Sequence, residues 1–146
     1  MSLEDKMGLQ AQLSYGIPNV TADLGLASIV VSYQKTPGGE GVSVDIIKGG
    51  QQVFTGDWLN KNPHYHLNRN PADVQASVRP LDYGNGLLPA DIFDKFIDEH
   101  SLVDLVREAG HSDVADCLEL AGEQQITAYI RCAIQFVHRT HANLGR

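Results

Sequence analysis

From Ala27 to Arg79 short apolar runs alternate with polar residues and are broken by Gly and Pro. From Pro89 onward no further Pro occurs, and apolar residues recur every three or four positions. The first pattern has the period of strands and the second that of helices. The change falls at Tyr83-Gly84-Asn85-Gly86-Leu87-Leu88-Pro89. It predicts an α+β fold in one domain spanning 1–146: a small antiparallel sheet in the N-terminal half (27–82), packed with a C-terminal bundle of about four helices (89–143).

Within the first half, Ile29, Val31 and Tyr33 fall on one face of a strand and Val30, Ser32 and Gln34 on the other. Val42-Ser43-Val44-Asp45-Ile46 alternates as a half-buried strand should. Gly49-Gly50 suits a two-residue hairpin turn. Gln52 to Trp58 then forms the return strand, with Gly56 weakening it or marking a bulge. Residues 60–75, rich in Asn and Pro, read as a long loop, and Gln75 to Arg79 as a short strand rejoining the sheet. Residues 1–26 read as an N-terminal arm or a short helix built on Leu3, Met7, Leu9 and Leu13, broken at Gly16-Ile17-Pro18-Asn19.

The helical half is punctuated at each end. Pro89 suits a first helical position, and Ile92, Phe93, Phe96 and Ile97 make one apolar face. Ser101 and Asp104 resemble a capping box, and Gly110 a C-terminal stop. Ser112 is the expected cap of the next helix, which Gly122 ends. Glu123 to Asn143 is the longest, with Ile126, Ile130, Ala133 and Val137 inward and Arg131, Gln135, His138 and Arg139 on the wetter side.

Composition adds exclusions. With 42% hydrophobic and 20% charged residues the chain has the balance of a folded protein. Its longest apolar run is too short to span a bilayer, and residues 1–6 lack the layout of a signal peptide. Asn19-Val20-Thr21 is then a chance match to a glycosylation acceptor. Two cysteines, Cys117 and Cys132, make no disulfide framework, so a reducing cytoplasm is the expected location.

The net charge of −7 is unevenly spread: residues 89–123 hold ten acidic and two basic residues, whereas 124–146 hold three arginines and no acid. An acidic helical segment disfavours nucleic acid. The helix–turn–helix outline of Ser101 to Gly122 fails for the same reason, since Ser112 to Ala121 carries Asp113, Asp116 and Glu119 and no cation. The terminal arginines complement a helix dipole.

Six histidines are the first place to seek chemistry. His64-Tyr65-His66, if extended, puts two imidazoles on one side of a strand. His138 and His141 are three apart on a helix. Convergence of the two pairs, with Asp57 or Asp73 adding oxygen, would make a metal site able to activate water. Both cysteines fall on inner helix faces and behave as small apolar residues. Asp91, Asp94 and Asp98 share one face of the first helix, as a solvated or docking surface. Trp58, His64, Tyr65 and His66 form an aromatic cluster in the expected loop, suited to anchoring a partner or to closing the core.

Two functions follow as expectations. The first is a non-catalytic interaction protein, homo-oligomeric or bound to a protein partner, without cofactor, using the 58–70 loop or the acidic helical surface over 91–119. The alternative is a metal-dependent hydrolase-like enzyme using His64, His66, His138 and His141. A small-ligand pocket between sheet and helices is a third possibility.

Overall fold

The computed structural model describes residues 12–14, 17–37, 39–70, 72, 77–83 and 86–144. Seven strands form one antiparallel sheet whose spatial order is the chain order. They are β1 (Gln12–Ser14), β2 (Ile17–Asp23), β3 (Ser28–Thr36), β4 (Gly39–Lys48), β5 (Gln51–Leu59), β6 (His64–Leu67) and β7 (Val78–Pro80). Four helices follow: α1 (Pro89–Glu99), α2 (Leu102–Glu108), α3 (Ser112–Ala121) and α4 (Glu123–Leu144). None of the described helices is long and apolar enough to cross a membrane.

The α+β arrangement is the expected one, but the sheet is wider. Residues 12–14 and 17–23 are strands rather than an arm or helix. Pro18 is tolerated in β2 despite its missing N–H, and the strand continues through Asp23. Leu3, Met7 and Leu9 lie outside the described residues. The segment expected to be a 60–75 loop contains β6, paired with β5 from Phe54↔Leu67 to Asp57↔His64. The last strand begins at Val78, and Gln75 and Ala76 lie outside the described residues. Gly49 and Gly50 do close the β4–β5 hairpin, with φ of 56° and 80°, the left-handed values that a primed turn requires.

Gly56 is not a bulge. The register slips between Ile46 and Ile47, where β5 carries Val53 as an extra residue, while Gly56 stays paired with Val44 and Tyr65. It is glycine because a Cβ there would lie 2.2 Å from Cζ2 of Trp58. The indole lies across the backbone.

Register sorts side chains onto two faces. One face carries Ile29, Val31, Val42, Val44, Ile46, Phe54, Trp58, Tyr65 and Leu67, all in a core continuous with Ile92, Phe93 and Phe96 of α1 and Ile130 and Ile134 of α4. Trp58 meets Phe93 and Phe96 with ring centroids 5.7 and 4.9 Å apart. Helix α4 crosses β2, β3 and β4, while α1 and α2 lie over β5. The two halves share one core.

Helix ends follow the sequence signals with one shift. The Asp104 N–H donates to Ser101 Oγ at 3.2 Å. Gly110 and Gly122 end α2 and α3 at φ of 90° and 93°. The cap of α3 is His111 rather than Ser112, and its side chain makes no capping bond.

Candidate metal centre

The opposite face of the sheet is polar. Along one cross-strand row lie Ser32, Ser43, Asp57 and His64, and along the next Val30, Asp45, Thr55 and His66. Alternation in β5 therefore sends Trp58 into the helical core and its neighbour Asp57 the other way. Alternation in β6 does the same for Tyr65 and the two histidines. Although this face is away from the helices, Asp57 is 4% exposed and His66 fully buried.

Three ligand-type atoms converge there. Asp57 Oδ2 is 3.0 Å from His64 Nε2 and 3.5 Å from His66 Nε2. The donor atoms of all three lie within 4.8 Å of one another. Ligands about 2.0–2.2 Å from one ion are separated by such distances, so the set needs no large movement to close on a metal.

The surrounding bonds orient it. His64 Nδ1 donates to the Asn62 carbonyl oxygen at 2.8 Å. His66 Nδ1 lies 3.3 Å from Ser77 Oγ. Ser43 Oγ donates to Asp57 Oδ1 at 2.5 Å. Each imidazole is thus held by Nδ1 and points Nε2 at the remaining carboxylate oxygen, the outer support typical of metal-bound histidine.

Electrostatics sharpen this picture. Asn62 O and Asp57 Oδ2 only accept, so without an ion His64 bears protons on both nitrogens. Its pKa is raised, chiefly by the bond to Asp57 and despite burial. Burial works to raise the Asp57 pKa, but hydrogen bonds from His64 and Ser43 and the longer 3.5 Å contact with His66 outweigh it and hold the carboxyl well below its usual range. His66 Nε2 is different: it is fully buried, and its contact with Asp57 Oδ2, at 3.5 Å, is too long to satisfy it as a hydrogen bond. A buried unpaired polar atom costs about 1–3 kcal/mol, and a metal ion would remove that cost.

Asp45 is the second carboxylate on this face, accepting bonds at Oδ1 from Thr55 Oγ1 (2.6 Å) and Gln52 Nε2 (2.9 Å). Burial raises its pKa against those bonds.

The two histidine pairs do not converge. His141 lies on the helical side of the sheet, stacked on Tyr33 with centroids 3.4 Å apart. His138 and His141 instead line a cavity of about 390 Å³ with Tyr33, Glu40 and Asn60 at the seam between sheet and helices. There Tyr33 donates to Glu40 at 2.5 Å. That bond, outweighing desolvation, lowers the Glu40 pKa, while burial and Glu40 push Tyr33 up to about 12. The four histidines therefore do not share one site, and among the described residues it is Asp57, His64 and His66 whose ligand-type atoms come together. Asp73 lies outside the described residues.

The other candidates separate by burial. Trp58 and Tyr65 are core residues at 0% and 6% exposure, which removes them as anchors of a surface loop. Asp94 holds Arg131 Nε with both oxygens, at 2.9 and 3.0 Å. Asp91 and Asp98 are exposed on α1. Cys132 is buried, and half-buried Cys117 contacts the Leu24 carbonyl. Ser43, Asp45, Thr55 and Arg69 were not among the expected site residues. The alternation of β4 contained the signal for the first two, since Ser43 and Asp45 interleave with Val42, Val44 and Ile46.

No protein-family model, curated protein or solved structure matches the chain.

Proposed function

We propose that the protein is a mononuclear metalloprotein in which Asp57, His64 and His66 hold one divalent transition-metal ion. The observation that carries this reading is His66 Nε2, buried without a satisfying hydrogen bond and aimed with His64 Nε2 at one oxygen of Asp57. Two imidazoles and a carboxylate suit zinc or iron(II), and three protein donors leave positions for water or substrate. The chemistry this supports is Lewis-acid activation of a bound water. Asp45 is diagonal to Asp57 in the sheet, and such neighbours are separated by about 7–8 Å. Its raised pKa suits a proton acceptor.

The test is elemental analysis of protein purified without a histidine tag. About one equivalent of metal is expected, lost in His66→Ala and Asp57→Ala and kept in His138→Ala and His141→Ala. Metal at background level, or metal indifferent to His66 and Asp57, would overturn the proposal.

A second reading keeps the acidic helical surface as a docking face for a basic protein. Leu120, 90% exposed beside Asp116 and Glu119, favours it. It ranks second because Arg107 already pairs with both carboxylates, at 3.1 and 3.3 Å. Binding that weakens steeply with salt would support it, and salt-insensitive binding would count against it.

A further inference from the structure

Arg69 lies just past β6, where its backbone N–H donates to the Gln52 carbonyl oxygen. Gln52 in turn donates its side-chain amide to Asp45, so Arg69 is tied to the strand position beside the polar face. Its charge acts on both Asp45 and His64. Yet its Nε is buried without a hydrogen-bond partner, and among the described residues it forms no salt bridge. The contrast with other arginines is informative. Arg79 grips Glu108 through two nitrogens, Arg107 reaches Asp116 and Glu119, and Arg131 holds Asp94. Those pairs are on the surface, where a partner matters less than it does for a buried guanidinium nitrogen.

Charge balance gives the missing partner a sign. A divalent ion and Arg69 contribute three positive charges, Asp57 and Asp45 two negative ones, and the metal-bound imidazoles none. One positive charge remains in a site where Asp57 and His66 are almost wholly removed from water and Arg69 is half-buried, and a net charge so placed is unfavourable unless it is met. An anion bridging the metal's open side and the Arg69 fork would meet it. Nε–H and one Nη–H offer two parallel donors to the two oxygens of a carboxylate or phosphate group.

We infer that the metal centre takes an anionic oxygen ligand, a carboxylate or phosphate group, and that Arg69 is the residue that recognises its charge. This inference rests on the metal reading. It narrows the substrate class to molecules carrying such a group next to the bond or atom that meets the metal.

The experiment uses protein loaded with cobalt(II), whose visible spectrum reports changes in its ligands, titrated with acetate, inorganic phosphate or neutral imidazole. Arg69→Gln should keep its cobalt stoichiometry and its affinity for imidazole while binding the preferred anion at least tenfold more weakly. Arg69→Lys, which restores the charge without the fork, should recover part of that loss. Preference for acetate or for phosphate then assigns the group. Equal anion affinity in wild type and Arg69→Gln, or parallel loss of imidazole and anion binding, would overturn the role of Arg69 with the metal reading intact. Failure of the wild-type protein to hold cobalt at His64 and His66 would remove the metal reading, and the anion site with it.

Discussion

Metal should invert the pH dependence of stability. In the metal-free protein His64 is an imidazolium held between the Asn62 carbonyl and Asp57, so its folded pKa lies above its unfolded value of about 6.5. The stability it contributes is fully present below about pH 6.5 and is lost as pH rises through the folded pKa. Across that interval the folded state holds one more proton than the unfolded state, so stability falls by about 1.4 kcal/mol per pH unit. Asp57 acts in the other direction. Its depressed pKa gives stability present above about pH 4 and lost as pH falls toward the folded value. The pair therefore favours the metal-free fold most between about pH 4 and 6.5.

With metal bound, neither Nε2 can carry a proton. Below about pH 6.5 the unfolded chain then holds at least one proton more than the folded one, and stability rises by about 1.4 kcal/mol or more per pH unit. For a chain of this size 1 kcal/mol moves Tm by about 3–4 °C. The difference in Tm between zinc-saturated and chelator-treated protein should therefore widen by about 4–6 °C per unit as pH rises toward about 6.5, and go on widening until pH passes the folded pKa of His64. Differential scanning fluorimetry across buffers of constant ionic strength measures it. His64→Gln serves to subtract the remaining histidines. A Tm difference that is absent, flat with pH, or unchanged in His64→Gln refutes the reasoning.

Three further outcomes follow from single contacts. Gly56→Ala forces a methyl against the Trp58 ring, and overpacking of this kind costs about 1–3 kcal/mol. Because Trp58 is the chain's one tryptophan, its emission should shift as Tm falls by about 3–10 °C, and unchanged emission would contradict the packing described. Asn68 adopts φ of 53° and bonds both the Ala109 carbonyl and His111 Nε2, so Asn68→Ala should lose about 2 kcal/mol in urea denaturation, with Asn68→Gly recovering the backbone share. Asp94→Asn removes a pair with Arg131 whose side chains are 40% and 39% exposed, and after solvent screening it should cost less than about 1 kcal/mol; a larger loss would mean that the pair fixes α1 against α4.

The helical half was legible almost residue by residue because its signals are local. Pro89, Ser101, Gly110 and Gly122 mark ends that depend on a few neighbouring residues. The sheet was only half legible. β3, β4 and β5 announce themselves by alternation, but β6 is four residues between Asn-rich turns, and its identity as a strand depends on pairing with β5. β2 was hidden by Pro18, which the sheet accommodates. The site was legible in its parts. The spacing of His64 and His66 and the oxygen of Asp57 stand in the sequence, but the choice of Asp57 over His138 and His141 depends on which face each strand presents. No local pattern contains that information.

The triplet Gly56-Asp57-Trp58 shows how the two faces are coupled. Trp58 fills the core against Phe93 and Phe96 and lies over the bare Cα of Gly56, which fixes which residues of β5 face the helices. Because strand alternation has a period of two, a slip of one residue would put Asp57 into the aromatic core and Trp58 among the histidines. Both exchanges are strongly unfavourable, since one buries a charge without partners and the other exposes the indole's apolar surface. The same packing that stabilises the helical side therefore holds the carboxylate on its register opposite His64. Tyr65 repeats the device on β6, packing on Phe54 and Phe96 and so holding His64 and His66 to the other side. The aromatic residues position the ligands without touching them.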